Sequence, residues 1–155
     1  MKSSIWNTPF LWIAFVLGVG WLSGFLSGDI SGVYALLEKP PLSPPGQIFP
    51  VVWTILYLLM GIAAWLVSRS EGPCRGPALF WFFVQLALNF SWSIVFFRFG
   101  LHWAALAILV LLDILVIHTI RLFRKQNPTA AWLMVPYLLW ILFATYLNAA
   151  LALLN

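Results

Sequence analysis

Charged residues are scarce in this sequence. Only 8% of its 155 residues are charged, whereas 63% are hydrophobic, and a soluble domain typically has about 25% charged residues. This scarcity excludes a soluble domain with a solvated surface. The single cysteine, Cys74, excludes an internal disulfide. Membrane-protease signatures such as H-E-x-x-H and glycine-rich phosphate loops are also absent, so the sequence assigns no catalytic residue.

Long apolar runs are abundant instead. Charge-free runs cover residues 3–28, 46–68, 76–97 and 128–155, and a fifth run is interrupted by Asp113 and His118. Each is long enough to span a bilayer, which takes about 20 apolar residues in a helix. We therefore expect an all-α membrane protein, a single domain over residues 1–155 with transmembrane helices at about 5–27, 47–68, 78–97, 103–124 and 130–154. The first run is too long for a typical signal peptide, so we expect it to be retained.

Positive charge is distributed unevenly between the two ends of these spans. With five spans, one side holds six Lys or Arg residues: Lys2, Arg69, Arg75, Arg121, Arg124 and Lys125. The other side holds Lys39 and Arg98. The bias predicts a cytoplasmic N-terminus and an external C-terminus in a bacterial cytoplasmic membrane. It also explains the net charge of +4 without a nucleic-acid partner.

The first loop, about residues 28–46, is the only long connection. It contains the proline-rich stretch "EKPPLSPPG", and proline removes backbone donors and narrows the conformations that must be ordered. We expect a stiff lid over a pocket at the membrane edge. Just before it, Gly20, Gly24 and Gly28 follow a four-residue spacing, which indicates either close packing within the bundle or a dimer face.

Three spans carry stripes of aromatic and amide side chains. Residues at i, i+3, i+4 and i+7 share a helix face, and these stripes are Trp53 and Tyr57; Gln85, Asn89 and Trp92; and Tyr137, Trp140, Ala144 and Asn148. The direction of each span brings most of them to the half of the membrane nearest the first loop. They predict a pocket beneath that loop. The alternative is ordinary interhelical hydrogen bonding with interfacial aromatic belts.

Asp113 is the one carboxylate well inside a span. Such a residue is expensive in lipid and is either functional or paired. A proton relay is one hypothesis, and pairing with a donor in the bundle is the other. His118 lies about 140° further round the helix, so the two residues do not share a face. No further His, Cys or carboxylate stands at ligand spacing, so we expect no metal site.

Four ordered motifs together resemble the TspO/MBR family of tryptophan-rich sensory proteins and translocator proteins. The first loop resembles the family's K-P-x-W-x-P-P, with Lys39, Pro40, Pro44 and Pro45, and Trp53 follows. "QLALNFSW", "LLD" and "VPYLLWILFATYLN" resemble the family's third, fourth and fifth helices. The resemblance extends over essentially the whole chain.

Membership in this family implies a bundle, commonly dimeric, whose pocket binds tetrapyrroles such as protoporphyrin IX and haem. It also implies sterols in animal members, and synthetic ligands of the isoquinoline carboxamide and benzodiazepine types. No obligatory cofactor is implied. The pocket residues implied by the motifs are Trp53, Asn89, Trp92, Trp140 and Ala144, with Tyr34 and Pro44 in the first loop.

Two positions depart from the family pattern. Leu42 stands where the family has the tryptophan of W-x-P-P, and Val33 precedes Tyr34 where some bacterial members have a tryptophan implicated in light-dependent porphyrin breakdown. The leading hypothesis is therefore a membrane receptor or carrier that binds tetrapyrroles. The alternatives are an enzyme that oxidises bound porphyrin, which the Val33 position disfavours, and a proton-coupled transporter that uses Asp113.

Overall fold

The structure is a computed structural model that describes residues 7–155. Within this range the chain forms six α-helices and a short π-helical segment that continues the fourth. Their bounds are α1, Pro9–Leu26; α2, Ile30–Leu36; α3, Ile48–Ser68; α4, Arg75–Ser93, with the π-helical segment Ile94–Arg98; α5, His102–Gln126; and α6, Pro128–Leu154.

Five of these helices are long and apolar enough to cross a membrane. They coincide with the five predicted spans to within a few residues, and residues 5 and 6 of the first predicted span lie outside the described residues, as does Lys2. Helix is the outcome expected for apolar segments in lipid, because every backbone N–H and C=O must be paired within the segment. The chain is therefore an integral membrane protein.

Helix α2 is the element that the sequence analysis did not predict. It interrupts the first loop, and the carboxylate of Asp29 caps it by accepting a hydrogen bond from Gly32 N at 3.0 Å. The ammonium of Lys39 donates to the carbonyl of Leu37 at 3.0 Å, just beyond the end of α2. These local bonds order the first half of the loop, which leaves the prolines to order the second half.

The helices pack against one another as one bundle. Helix α5 packs against α4 and α6, while α3 packs against α1 and α6 and touches α4 less. Consecutive spans are therefore close neighbours in the pair α1 and α3 and in the series α4, α5 and α6, whereas α3 and α4 touch less. Buried side chains from four helices fill the centre, among them Met60, Phe82, Leu112 and Tyr137.

Helices α1 and α3 come closest at the end away from the first loop. A Cβ placed on Gly61 would lie 2.7 Å from the Cα of Ile13, so only glycine permits this approach. Nearer the first loop, a Cβ on Gly24 would meet nothing within 4 Å. Helix α1 is therefore packed closely against α3 at this end and has open space beside it nearer the loop.

Candidate functional site

A cavity of about 400 Å³ lies between the helix ends nearest the first loop. Helices α1, α2, α3, α4 and α6 and the π-helical segment line it, and α5 does not. Eight of the residues predicted to bind a ligand are in its lining: Tyr34, Trp53, Tyr57, Asn89, Trp92, Trp140, Ala144 and Asn148. The stripes on three separate helices thus converge on one space.

The floor of the cavity is a chain of hydrogen bonds between buried side chains. The Tyr57 hydroxyl donates to Asn89 Oδ1 at 2.9 Å, and Asn89 Nδ2 donates to the Tyr137 hydroxyl at 2.8 Å. Tyr137 in turn donates to Gln85 Oε1 at 2.7 Å. We call these four residues the floor network. It joins α3, α4 and α6, so the position of Asn89 at the cavity surface is set by partners on two other helices.

Gln85 and Tyr137 lie behind the cavity surface, although their stripes predicted them as ligand-binding residues. Both side chains are fully buried, and neither lines the cavity. Gln85 Nε2 has no hydrogen-bond partner in the described part of the chain. These two residues support the surface residues, because they hold Asn89 from behind.

One wall of the cavity is aromatic. The Trp53 ring stacks on Tyr57 with the ring centres 5.5 Å apart, and it lies 6.3 Å from the Trp92 ring. The Trp92 indole donates to Asn148 Oδ1 at 3.0 Å, which fixes the ring against α6. Since two of these rings carry hydrogen bonds to other helices, the wall is held in place before any ligand arrives.

The first loop closes the end of the cavity through Tyr34. Its hydroxyl donates to the Pro44 carbonyl at 2.7 Å, which links α2 to the proline-rich half of the loop. The Tyr34 ring packs edge-on against Phe49, with centres 5.0 Å apart. Burial raises the pKa of the Tyr34 hydroxyl above its usual value of 10.0, because the charged form is poorly solvated. Pro44 acts through this bond and does not itself line the cavity.

The first loop is also tied to the far end of the chain. Glu38 N donates to Asn155 Oδ1 at 3.1 Å, and Asn155 Nδ2 donates back to the Glu38 carbonyl at 3.0 Å. The Tyr146 hydroxyl donates to the Pro41 carbonyl at 2.8 Å. The loop is therefore pinned to α6 and to the residue that follows it, through the first half of the proline-rich stretch.

Several lining residues were missed in the sequence analysis, including Phe49, Phe96 and Phe97. The π-helical segment has i→i+5 backbone bonding, such as Phe99 N to the Ile94 carbonyl at 3.2 Å. This extra residue per turn changes which side chains face inward. Nothing in the sequence marks a π-helical turn, so Phe96 and Phe97 had no recognisable signal.

The glycine spacing on α1 contributes to the cavity itself. Gly20 lies against Tyr57, whose ring a Cβ at that position would overlap. Gly24 faces open space and lines the cavity. The pattern was interpreted as close packing or a dimer face. Gly20 fits the first, and Gly24 has a further role because its missing side chain leaves room in the cavity.

The cavity is apolar and open on one side. None of its described lining residues is Asp, Glu, Lys or Arg. Trp140 Nε1 is a buried donor with no partner within residues 7–155. Trp21 and Thr54, on α1 and α3, line the cavity and are also exposed. The space can thus admit an apolar molecule from the lipid side.

Asp113 lies outside the cavity. Its Oδ2 accepts a hydrogen bond from the Thr145 hydroxyl at 2.6 Å, which joins α5 to α6. Its Oδ1 has no partner among the described residues. Of the two hypotheses for Asp113, pairing with a donor in the bundle and a proton relay, Thr145 supplies the donor of the first.

Comparison with known proteins places the chain in a family. The sequence profile of the TspO/MBR family matches residues 12–154. The tryptophan-rich protein TspO of Archaeoglobus fulgidus is 40% identical over 141 residues, which cover 90% of this chain and 92% of that protein. The translocator protein of Ovis aries is 35% identical over 127 residues, which cover 80% and 75% of the two chains. The chain belongs to the TspO/MBR family.

One departure from the TspO/MBR pattern, Leu42, has an unusual backbone conformation. Leu42, where the family motif has tryptophan, is 83% exposed and has a positive φ of 70°. Left-handed backbone is costly for a residue with a branched side chain. This position in the loop therefore carries strain, and its side chain makes no contribution to the cavity lining.

Proposed function

We propose that this TspO/MBR protein is a membrane receptor or carrier that binds tetrapyrroles such as protoporphyrin IX in the cavity. The observation that carries the proposal is the character of the lining: indole and phenol rings from five helices around about 400 Å³, with no charged side chain among the described lining residues. Flat aromatic ligands stack on such rings. Small-molecule sites commonly combine apolar walls with a few fixed polar groups.

The polar groups of the cavity suit a ligand with few acceptors. Asn89 and Trp92 already have partners in the protein, so they need no ligand group to satisfy them. Trp140 Nε1 is the donor left over in the described residues. A ring nitrogen or carbonyl of a ligand would satisfy it. Sterols and isoquinoline carboxamide or benzodiazepine-type ligands share this apolar, uncharged character and are proposed as further ligands.

Ionised propionates of a porphyrin would have to lie outside the apolar cavity. Lys39 and Arg98 are exposed cations near the first loop. Their described hydrogen-bond partners are backbone carbonyls, with Arg98 Nη1 donating to Leu26 at 3.3 Å and Lys39 Nζ donating to Leu37 at 3.0 Å. Such bonds leave both charges available for carboxylates at the mouth.

Among tetrapyrroles, we expect the metal-free ring to bind better than haem. None of the described lining residues is His, Cys or Met, the usual nitrogen and sulfur ligands of haem iron. The lining tyrosines Tyr34 and Tyr57 already donate to other protein groups. Haem would therefore bind through its ring alone.

The membrane and the assembly are also proposals. Arg69, Arg75, Arg121, Arg124 and Lys125 lie at the end of the bundle away from the first loop, and this bias favours a cytoplasmic location for that end in a bacterial cytoplasmic membrane. For the assembly, we propose that two copies of the chain form a homodimer, as is common in the family.

Titration with protoporphyrin IX tests the binding proposal. The porphyrin absorbance band of the purified protein in detergent should change saturably at one site per chain. Trp140→Phe, which keeps a ring but removes the free N–H, should weaken binding several-fold. Trp132→Phe is the matched control, since Trp132 is 73% exposed on the same helix and outside the cavity lining. An absence of saturable binding would sink the proposal, and equal weakening by both substitutions would reject the cavity as the site.

A further inference from the structure

A second groove lies at the end of the bundle opposite the cavity, and we call it the basic groove. Its volume is about 540 Å³. It is lined by the last turns of α5, through His118, Arg121, Leu122, Arg124 and Lys125. Gln126 fixes this end of α5 beside the loop between α3 and α4, because its Nε2 donates to Ser70 Oγ at 2.9 Å. The basic groove is therefore far from the cavity and independent of it.

The three cations of the basic groove have no anionic partner among the described residues. Arg121, Arg124 and Lys125 form no hydrogen bond or ion pair with another described residue. Like charges three or four residues apart on a helix repel each other. The carbonyl end of α5 stabilises cations in its last turn, where Arg124 and Lys125 stand. Arg121 precedes that turn, so the helix end does not account for it.

The depth of the basic groove matches a membrane surface. At about 1.5 Å per residue, it extends about 10 Å along α5 from His118 to Lys125. Its deeper end is marked by Trp81, whose ring packs edge-on against His118 with centres 5.3 Å apart. Tryptophan concentrates at the boundary between acyl chains and headgroups. The cations beyond it are therefore at the level of lipid phosphates.

We propose that the basic groove binds the phosphate of an anionic phospholipid such as phosphatidylglycerol. Guanidinium groups match phosphate oxygens with two parallel hydrogen bonds, and an anion between Arg121 and Arg124 removes their mutual repulsion. Leu122, in the same lining, adds an apolar side chain beside the two arginines. The lipid binds as a ligand at one place on the protein surface, distinct from the general attraction of a positively charged membrane end.

The proposal is tested by thermal unfolding of the purified full chain in detergent with added phosphatidylglycerol. A ligand that binds only the folded protein raises the unfolding temperature by an amount that grows with the logarithm of its concentration relative to its Kd, so titrations with the lipid give its affinity. Each cation at a membrane surface contributes about 1 kcal/mol, or about fivefold in affinity. Arg121→Gln combined with Arg124→Gln should therefore lower the affinity for phosphatidylglycerol at least tenfold.

Arg69→Gln combined with Arg75→Gln is the matched control. It removes two charges at the same end of the bundle but outside the basic groove, and should leave the lipid affinity within twofold of the original. Phosphatidylcholine and inorganic phosphate should not raise the unfolding temperature. An equal loss of lipid affinity in the two double variants would show diffuse electrostatic attraction and would overturn the proposed site. A full effect from phosphatidylcholine or from inorganic phosphate alone would overturn the proposal as well.

Discussion

Trp92 donates its indole N–H to Asn148 Oδ1 at 3.0 Å, and this bond joins α4 to α6 beside the cavity. Asn148 Nδ2 donates in turn to the His102 carbonyl at the start of α5, also at 3.0 Å. One buried amide thus connects three helices. The aromatic wall of the cavity depends on this amide, because Asn148 orients the Trp92 ring. Helix α5 supplies no lining residue of its own, but its His102 carbonyl helps to hold Asn148 in place.

Replacement of Asn148 by leucine should lower the stability of the bundle. The change leaves the Trp92 N–H without a partner and removes the bond that Asn148 makes to the His102 carbonyl. An unsatisfied buried donor costs about 1–3 kcal/mol. Trp92→Phe removes only the indole N–H and keeps the bond from Asn148 to the His102 carbonyl, so it should lower the stability less. The comparison is made by thermal unfolding in detergent. An unchanged unfolding temperature in Asn148→Leu would show that the amide has no structural role.

Gly24→Phe should abolish porphyrin binding while the fold persists. A Cβ at this position meets nothing within 4 Å, and the residue lines the cavity, so a large ring can enter the space without displacing protein atoms. We expect at least a tenfold loss of affinity in the absorbance titration. Gly18→Phe is the control, because Gly18 also has open space around it but does not line the cavity. Similar affinity in both variants would contradict the location of the site.

The stability of the closed first loop should depend on alkaline pH through Tyr34. Burial holds the pKa of its hydroxyl above 10.0, so the unfolded state loses this proton at lower pH than the folded state does. The contribution is complete below about pH 10 and is lost as the pH rises through the folded-state pKa. Between pH 8 and 11, the unfolding temperature of the original protein should therefore fall more steeply than that of Tyr34→Phe.

Lys39→Gln is the control for this pH dependence. The Lys39 ammonium lies 4.9 Å from the centre of the Tyr34 ring, so its removal tests whether the neighbouring cation causes the effect. We expect Lys39→Gln to keep the steep fall. Parallel curves for the original protein and Tyr34→Phe would mean that the hydroxyl bonded to Pro44 does not govern the closed loop.

The membrane spans and the aromatic and amide residues of the cavity lining on three helices could be predicted from residue order alone. Apolar segments longer than a bilayer is thick must form helices, since lipid offers their backbones no other partner. Helical spacing then places Asn89 with Trp92, and Trp140 with Ala144, on common faces. Helix α2 and the π-helical segment were not predictable in this way, because each depends on local bonds such as that between Asp29 and Gly32.

By itself, the sequence determined which residues share a face and which end of each span they occupy. Only the tertiary structure decided their depth: Asn89 reaches the cavity, whereas Gln85, one turn earlier on the same stripe, is buried behind it. It also decided that Gly24 opens onto empty space while Gly20 meets Tyr57. The physical reason is that spacing along a helix sets direction, whereas contact depends on the tilt, rotation and separation of the neighbouring helices.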